Sequence, residues 1–138
     1  MGISTGIRKG LKEDDGNLIK DDTMQERRII VEEETWRILT VYKGEGIEKI
    51  KRKIDDKIED TKEENLVIGG DFNARIGEEG RIISKPKRNS KDKTKNEDGN
   101  RLLQWVEDRG WNILNGNILG DEHGEYTYNG PKGEDGTF

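Results

Sequence analysis

Between residues 36 and 70 the apolar pattern changes period twice, and that change limits the folds open to the chain. Trp36-Arg37-Ile38-Leu39-Thr40-Val41-Tyr42 is dense in β-branched and aromatic residues and reads as a strand. Ile47, Ile50, Ile54 and Ile58 then recur at spacings of three, four and four, which lines them up on one face of a helix. Glu48 and Arg52 stand at i, i+4 on that helix and are expected to support it. Leu66-Val67-Ile68-Gly69-Gly70 returns to a short apolar run and reads as a second strand. A helix with a narrow apolar stripe between two strands is expected to cross over and pack on a sheet. The fold class is therefore α/β (α+β).

The second strand leads into Asp71-Phe72-Asn73-Ala74-Arg75-Ile76-Gly77. In extended chain, residues i and i+2 face the same side, so Asp71 and Asn73 would present a carboxylate and an amide together while Phe72 turns into apolar packing. The glycines permit close approach to the backbone. In open α/β sheets ligands gather outside the carboxyl ends of strands, so this polar pair is a candidate site. The alternative is a strand closed by an Asx-type turn, with both side chains bonded to local backbone.

Before this unit, a short strand is expected near residues 2–8, a polar loop over 12–22, and a hairpin made of Arg28–Glu32 and Trp36–Tyr42 around a turn at 33–35. After it, Gly77 to Asp98 shows no sustained periodicity and reads as a long exposed basic loop (77–98). Lys85, Lys87, Arg88, Lys91, Lys93 and Lys95 there outnumber Asp92. Such a run can track a phosphate backbone, although a solvated loop is the plainer reading. A second helix follows, capped by Asn96 or Asp98, with Leu102, Leu103, Trp105 and Val106 on its core face and Gly110 as its stop. Trp111–Asn115 and Tyr126–Tyr128 read as short strands joined by a turn-rich link, with His123 at the surface.

Composition excludes several chemistries. The chain has no cysteine and one histidine, so disulfide frameworks, Cys-ligated zinc and His-rich metal sites are ruled out. Leu, Ile, Val and Phe supply 30 of 138 residues, and 40% of residues are charged, so the core is thin for this length. The net charge of −5 is not the overall basic field usual for nucleic-acid binders. No apolar run reaches the length of a membrane span and no signal peptide is visible, so no membrane partner is expected and an intracellular place, nuclear or cytoplasmic, is.

Gly70-Asp71-Phe72-Asn73 in its strand context resembles the signature of the endonuclease/exonuclease/phosphatase superfamily. The order of the neighbours is similar too: Val41-Tyr42 and a helix before it, then Asn96-Glu97-Asp98-Gly99 with Leu102-Leu103, Gly110-Trp111, Ile113-Leu114-Asn115 and Tyr126-Thr127-Tyr128. The likeness is closest to apurinic-type endonuclease domains of insect non-LTR retrotransposons and covers nearly the whole chain. It implies a β-sandwich flanked by helices and a Mg²⁺-dependent hydrolysis of phosphodiesters, with the DNA backbone as partner. It assigns Asp71 to the attacking water, Asn73 to the scissile phosphate and Tyr42 to a place near that phosphate, although Gly44 stands where the family has Pro. The Asn and metal-binding Glu that the family carries ahead of this region, and the Asp that follows it, have no counterpart here. The expectation is thus a single partial domain over 1–138, lacking its N-terminal and C-terminal parts and holding one arm of the site. A non-catalytic binding module and a phosphatase of the same superfamily are the alternatives.

Overall fold

A computed structural model describes residues 6–14, 18, 22–42, 46–58 and 65–125. The chain divides into two compact units, Met1–Phe72 and Asn73–Phe138. Its described elements are a mixed four-stranded sheet and two helices, an α+β arrangement.

The first unit holds the sheet, in the order β1 (Lys12–Glu13), β2 (Met24–Val31), β3 (Glu34–Val41) and β4 (Asn65–Gly70). β1, β2 and β3 run antiparallel, whereas β3 and β4 are parallel. Helix α1 (Ile47–Ile58) makes the crossover between the parallel pair, as the isoleucine spacing requires, with Ile47, Ile50 and Ile54 buried. One face of the sheet is closed: Met24, Glu26, Arg37, Leu39 and Val41 are all buried. Two bonds tie α1 to the sheet. The Arg37 guanidinium donates to the Lys57 carbonyl at 3.0 Å, and Lys53 Nζ donates to Thr23 Oγ1 at 2.7 Å. Arg37 also pairs with the buried carboxylate of Glu26, which accepts from Arg28 as well. That ion pair places two charges among apolar side chains, and it is tolerable only because each has a partner. On the helix itself, Glu48 is joined by Lys51 at 3.3 Å, one residue short of the expected Arg52.

The hairpin is longer than the sequence suggested and its turn lies earlier. Val31 pairs with Glu34, leaving Glu32 and Glu33 as a two-residue loop. Both have positive φ, 51° and 70°, the pattern of a type I′ turn. A Glu-Glu dipeptide carries none of the usual Asn-Gly signal, which is why the sequence does not reveal it. The strand expected near 2–8 is not found at residues 6–8, and residues 1–5 lie outside the described ones. The strand at this edge is β1, inside the stretch read as loop, and Glu13 is held to Arg27 at 2.7 Å.

The second unit is organised by helix α2 (Glu97–Asp108) and by loops cross-tied through polar side chains. Asn96 is the N-cap, its side chain accepting from the Gly99 amide at 2.7 Å. The helix ends in a Schellman motif: the Gly110 amide donates to Glu107 and the Trp111 amide to Val106, each at 3.0 Å. Trp111 then packs edge-on against Trp105, ring centroids 5.0 Å apart. Leu102 and Trp105 are buried, and Leu103 and Val106 half-buried. Residues 111–114 are irregular rather than a strand; Ile113 is buried, Leu114 exposed, and turns begin at Asn115. The strand expected at Tyr126–Tyr128 lies outside the described residues.

Candidate functional site

β3 and β4 end together. Val41 pairs with Gly70 in the parallel register, so Tyr42 and Asp71 are the next residues of two neighbouring strands at their carboxyl ends. The Asp71 amide donates to the Val41 carbonyl at 3.1 Å, and the Tyr42 amide to the Thr23 carbonyl at 2.9 Å. Both residues are half-buried. Gly70 is what permits this junction. Its φ is 132°, and a Cβ there would lie 1.9 Å from the Val41 carbonyl oxygen. The close approach foreseen at the glycines is thus made by the protein's own backbone at Gly70, while Gly69 faces open space.

Phe72 is buried, as its position between two polar residues suggested. The extended chain does not continue to Asn73. β4 stops at Gly70, and Asn73 has a φ of 56°. The same-side argument for Asp71 and Asn73, which needs extended backbone, therefore does not hold at this point. Asn73 is exposed and in the left-handed region, which Asn tolerates better than most residues.

The segment that carries Asn73 is gripped by the start of α2. The Arg75 amide donates to Asn96 Oδ1 at 2.9 Å, the Asn96 amide to the Arg75 carbonyl at 3.0 Å, and Asn96 Nδ2 to the Asn73 carbonyl at 3.4 Å. The Arg75 guanidinium forks onto Asp92 at 3.0 and 2.9 Å. Burial alone would raise the Asp92 carboxyl, but bonds from the Arg75 side chain and the Thr94 amide outweigh it and hold the group below the ordinary carboxylate range. Asn96 was visible in the sequence as a cap; its hold on residues 73–75 was not. Asp92 was hidden inside a basic run.

That run proves only partly a solvated loop. Most of it is exposed, but Arg88 is 1% exposed and Ser90 is buried. Arg88 donates to the carbonyls of Glu79 (2.6 Å), Gly77 and Asn115 (3.0 Å) and to Asn115 Oδ1 (2.9 Å). Burial pulls its pKa down, and the carboxylates of Asp121 and Asp92 work against that shift. Asp121 in turn accepts from the Glu125 amide (3.1 Å), the Gly116 amide (2.9 Å) and Asn115 Nδ2 (2.9 Å), and those backbone bonds keep its carboxyl low. Three of its lysines are matched by carboxylates: Lys91 with Glu125 and Lys93 with Glu78, both at 2.6 Å, and Lys95 with Glu79 at 3.5 Å. His123 is exposed in a turn.

Among the described residues no three acidic or histidine side chains gather into a group that could hold a metal ion. No described helix is long and apolar enough to cross a membrane. No family model matches the chain, and no curated protein matches it either.

Proposed function

We propose that this chain carries the water- and phosphate-facing arm of a phosphodiesterase: a DNA-nicking endonuclease of the endonuclease/exonuclease/phosphatase superfamily, of the non-LTR retrotransposon type. The observation that carries the reading is the junction of Tyr42 and Asp71. A carboxylate and a phenol follow directly paired positions at the carboxyl ends of parallel strands, the usual setting for ligands in sheets of this kind. A phosphodiester is an anion that resists nucleophiles, so its hydrolysis needs a base on the water and neutral donors on the phosphate. Asp71 takes the water proton as the new P–O bond forms and one ester P–O bond breaks, the departing oxygen leaving as an alkoxide that takes up a proton from solvent. The resemblance gives Asn73 the role of donor to the scissile phosphate and Tyr42 a place near that phosphate. The half-buried Ile29, Trp36, Ile38 and Val67, on the sheet face opposite Leu39, supply the apolar surface that a β-sandwich would use. Mg²⁺ belongs to this reading through carboxylates of the family that have no counterpart among the 138 residues, so the chain by itself is expected not to nick DNA.

The test is a chimera in which residues 1–138 replace the corresponding middle of a complete endonuclease domain of that family. Supercoiled plasmid should be nicked when Mg²⁺ is present, and Asp71→Ala should lower the rate by about a hundredfold or more. A folded chimera that does not nick, or one whose nicking survives Asp71→Ala, would sink the reading.

A further inference from the structure

We propose that Asn96 is a positioning residue for Asn73: the first turn of α2 fixes the backbone of residues 73–75 and so aims the Asn73 amide at a phosphodiester. The inference rests on the phosphate-binding role of Asn73 given above and adds the device that sets it.

Contacts from Asn96, Gly99 and Asp92 converge on this short segment. Asn96 exchanges backbone and side-chain bonds with Arg75 on both its amide and its carbonyl. Its Nδ2 reaches the carbonyl of Asn73 itself. Gly99, one turn into the helix, lies so close that a Cβ would sit 1.9 Å from the Arg75 carbonyl oxygen. Asp92 completes the hold by fixing the Arg75 side chain at two points.

These contacts do more than cap a helix. Capping needs only the acceptor of residue 96, which the Gly99 amide already uses at 2.7 Å. The amide nitrogen of Asn96 has no part in it and is spent on Asn73. A left-handed residue three positions beyond a strand costs conformational energy and persists only when its surroundings hold it. Here the holding groups are Asn96, Gly99 and the Arg75–Asp92 pair, and the residue held is exposed rather than packed.

The split between cap and clamp makes the test selective. Asn96→Asp keeps the cap acceptor and the bond from the Arg75 amide but replaces the donor to Asn73 with an oxygen. Gly99→Ala favours the helix and forces the Arg75 carbonyl away. The probe is the DNA dinucleoside monophosphate thymidylyl-thymidine, titrated into the 138-residue chain and followed at the Asn73 side-chain amide by NMR. The wild-type amide should shift on binding, and Asn73→Ala should abolish saturable binding. Asn96→Asp should weaken it about five- to tenfold, the effect of losing one well-aimed hydrogen bond, with thermal stability kept, and Gly99→Ala should weaken it as much while lowering stability through its overlap with the Arg75 carbonyl. If the wild-type Asn73 amide does not respond, or Asn73→Ala binds as well, the phosphate-binding reading falls and the proposal with it. If Asn73 responds but both variants bind like the wild type, the positioning role alone is overturned.

Discussion

The amide of Asp71 donates to the carbonyl of Val41 at 3.1 Å, and this bond closes the parallel ladder at the end where the candidate residues lie. It forms because Gly70 brings β4 within reach of β3 without a side chain between them. Gly70→Ala adds a Cβ against backbone that cannot yield and asks alanine to hold a φ of 132°. The expected loss is about 3 kcal/mol, strain and overlap together, read as a lower urea midpoint.

The hairpin turn offers the opposite experiment. Glu32 and Glu33 both hold left-handed backbone, at about 1–2 kcal/mol each for ordinary residues. Replacing them with Asn-Gly supplies the dipeptide that a type I′ turn favours. Glu32→Asn with Glu33→Gly should raise stability by about 1–2 kcal/mol and move the thermal midpoint upward by several degrees.

Arg88 should be among the most sensitive positions of the second unit. Its guanidinium joins Gly77, Glu79 and Asn115 through carbonyl and amide oxygens, and the side chain is 1% exposed. Arg88→Ala is expected to cost about 3–5 kcal/mol. Arg88→Lys should recover only a part of this, because an ammonium cannot reproduce the planar fork. Chemical denaturation of the three proteins checks the order.

Acid should weaken the second unit through two carboxylates. Asp92 and Asp121 are both held below their ordinary range in the folded chain, Asp92 by Arg75 and the Thr94 amide against its burial, Asp121 by backbone amides. A depressed carboxyl stabilises the fold fully above its unfolded pKa of about 4 and loses that contribution as pH falls through the folded value. Stability should thus be level above about pH 5 and decline below it. Asp92→Asn should be less stable at neutral pH and show a shallower decline, by up to about one proton taken up on unfolding. Urea titrations at several pH values give both quantities.

Much of this architecture could be read from residue order, and the exceptions share a cause. α1 was legible because four isoleucines at helical spacing leave one way to bury them. The end of α2 was legible because Gly110 and Trp111 together spell a Schellman stop. Tyr42 and Asp71 were named separately, but their adjacency depends on register, which sequence does not state. The misjudged features turn on partners distant in the chain. β1 is two polar residues that become a strand only beside Ile29 and Ile30. Ile113-Leu114 has strand composition and no ladder among the described residues. Arg88 looks like one more solvated cation until the carbonyls around it are known. Asn73 was assigned to extended chain by its neighbours, while its own left-handed preference belonged to the turn alternative.

The pairing of Lys91, Lys93 and Lys95 with Glu125, Glu78 and Glu79 has a consequence for how this surface meets a polyanion. A bare lysine stripe displaces condensed counterions from nucleic acid, and its affinity falls steeply with added salt. These three cations already have carboxylates beside them, so each must give up one negative neighbour before it can replace a counterion. Recognition through these three residues would then draw less on ion release and more on directed hydrogen bonds, and its affinity would fall less steeply with added salt than that of an unpaired basic loop.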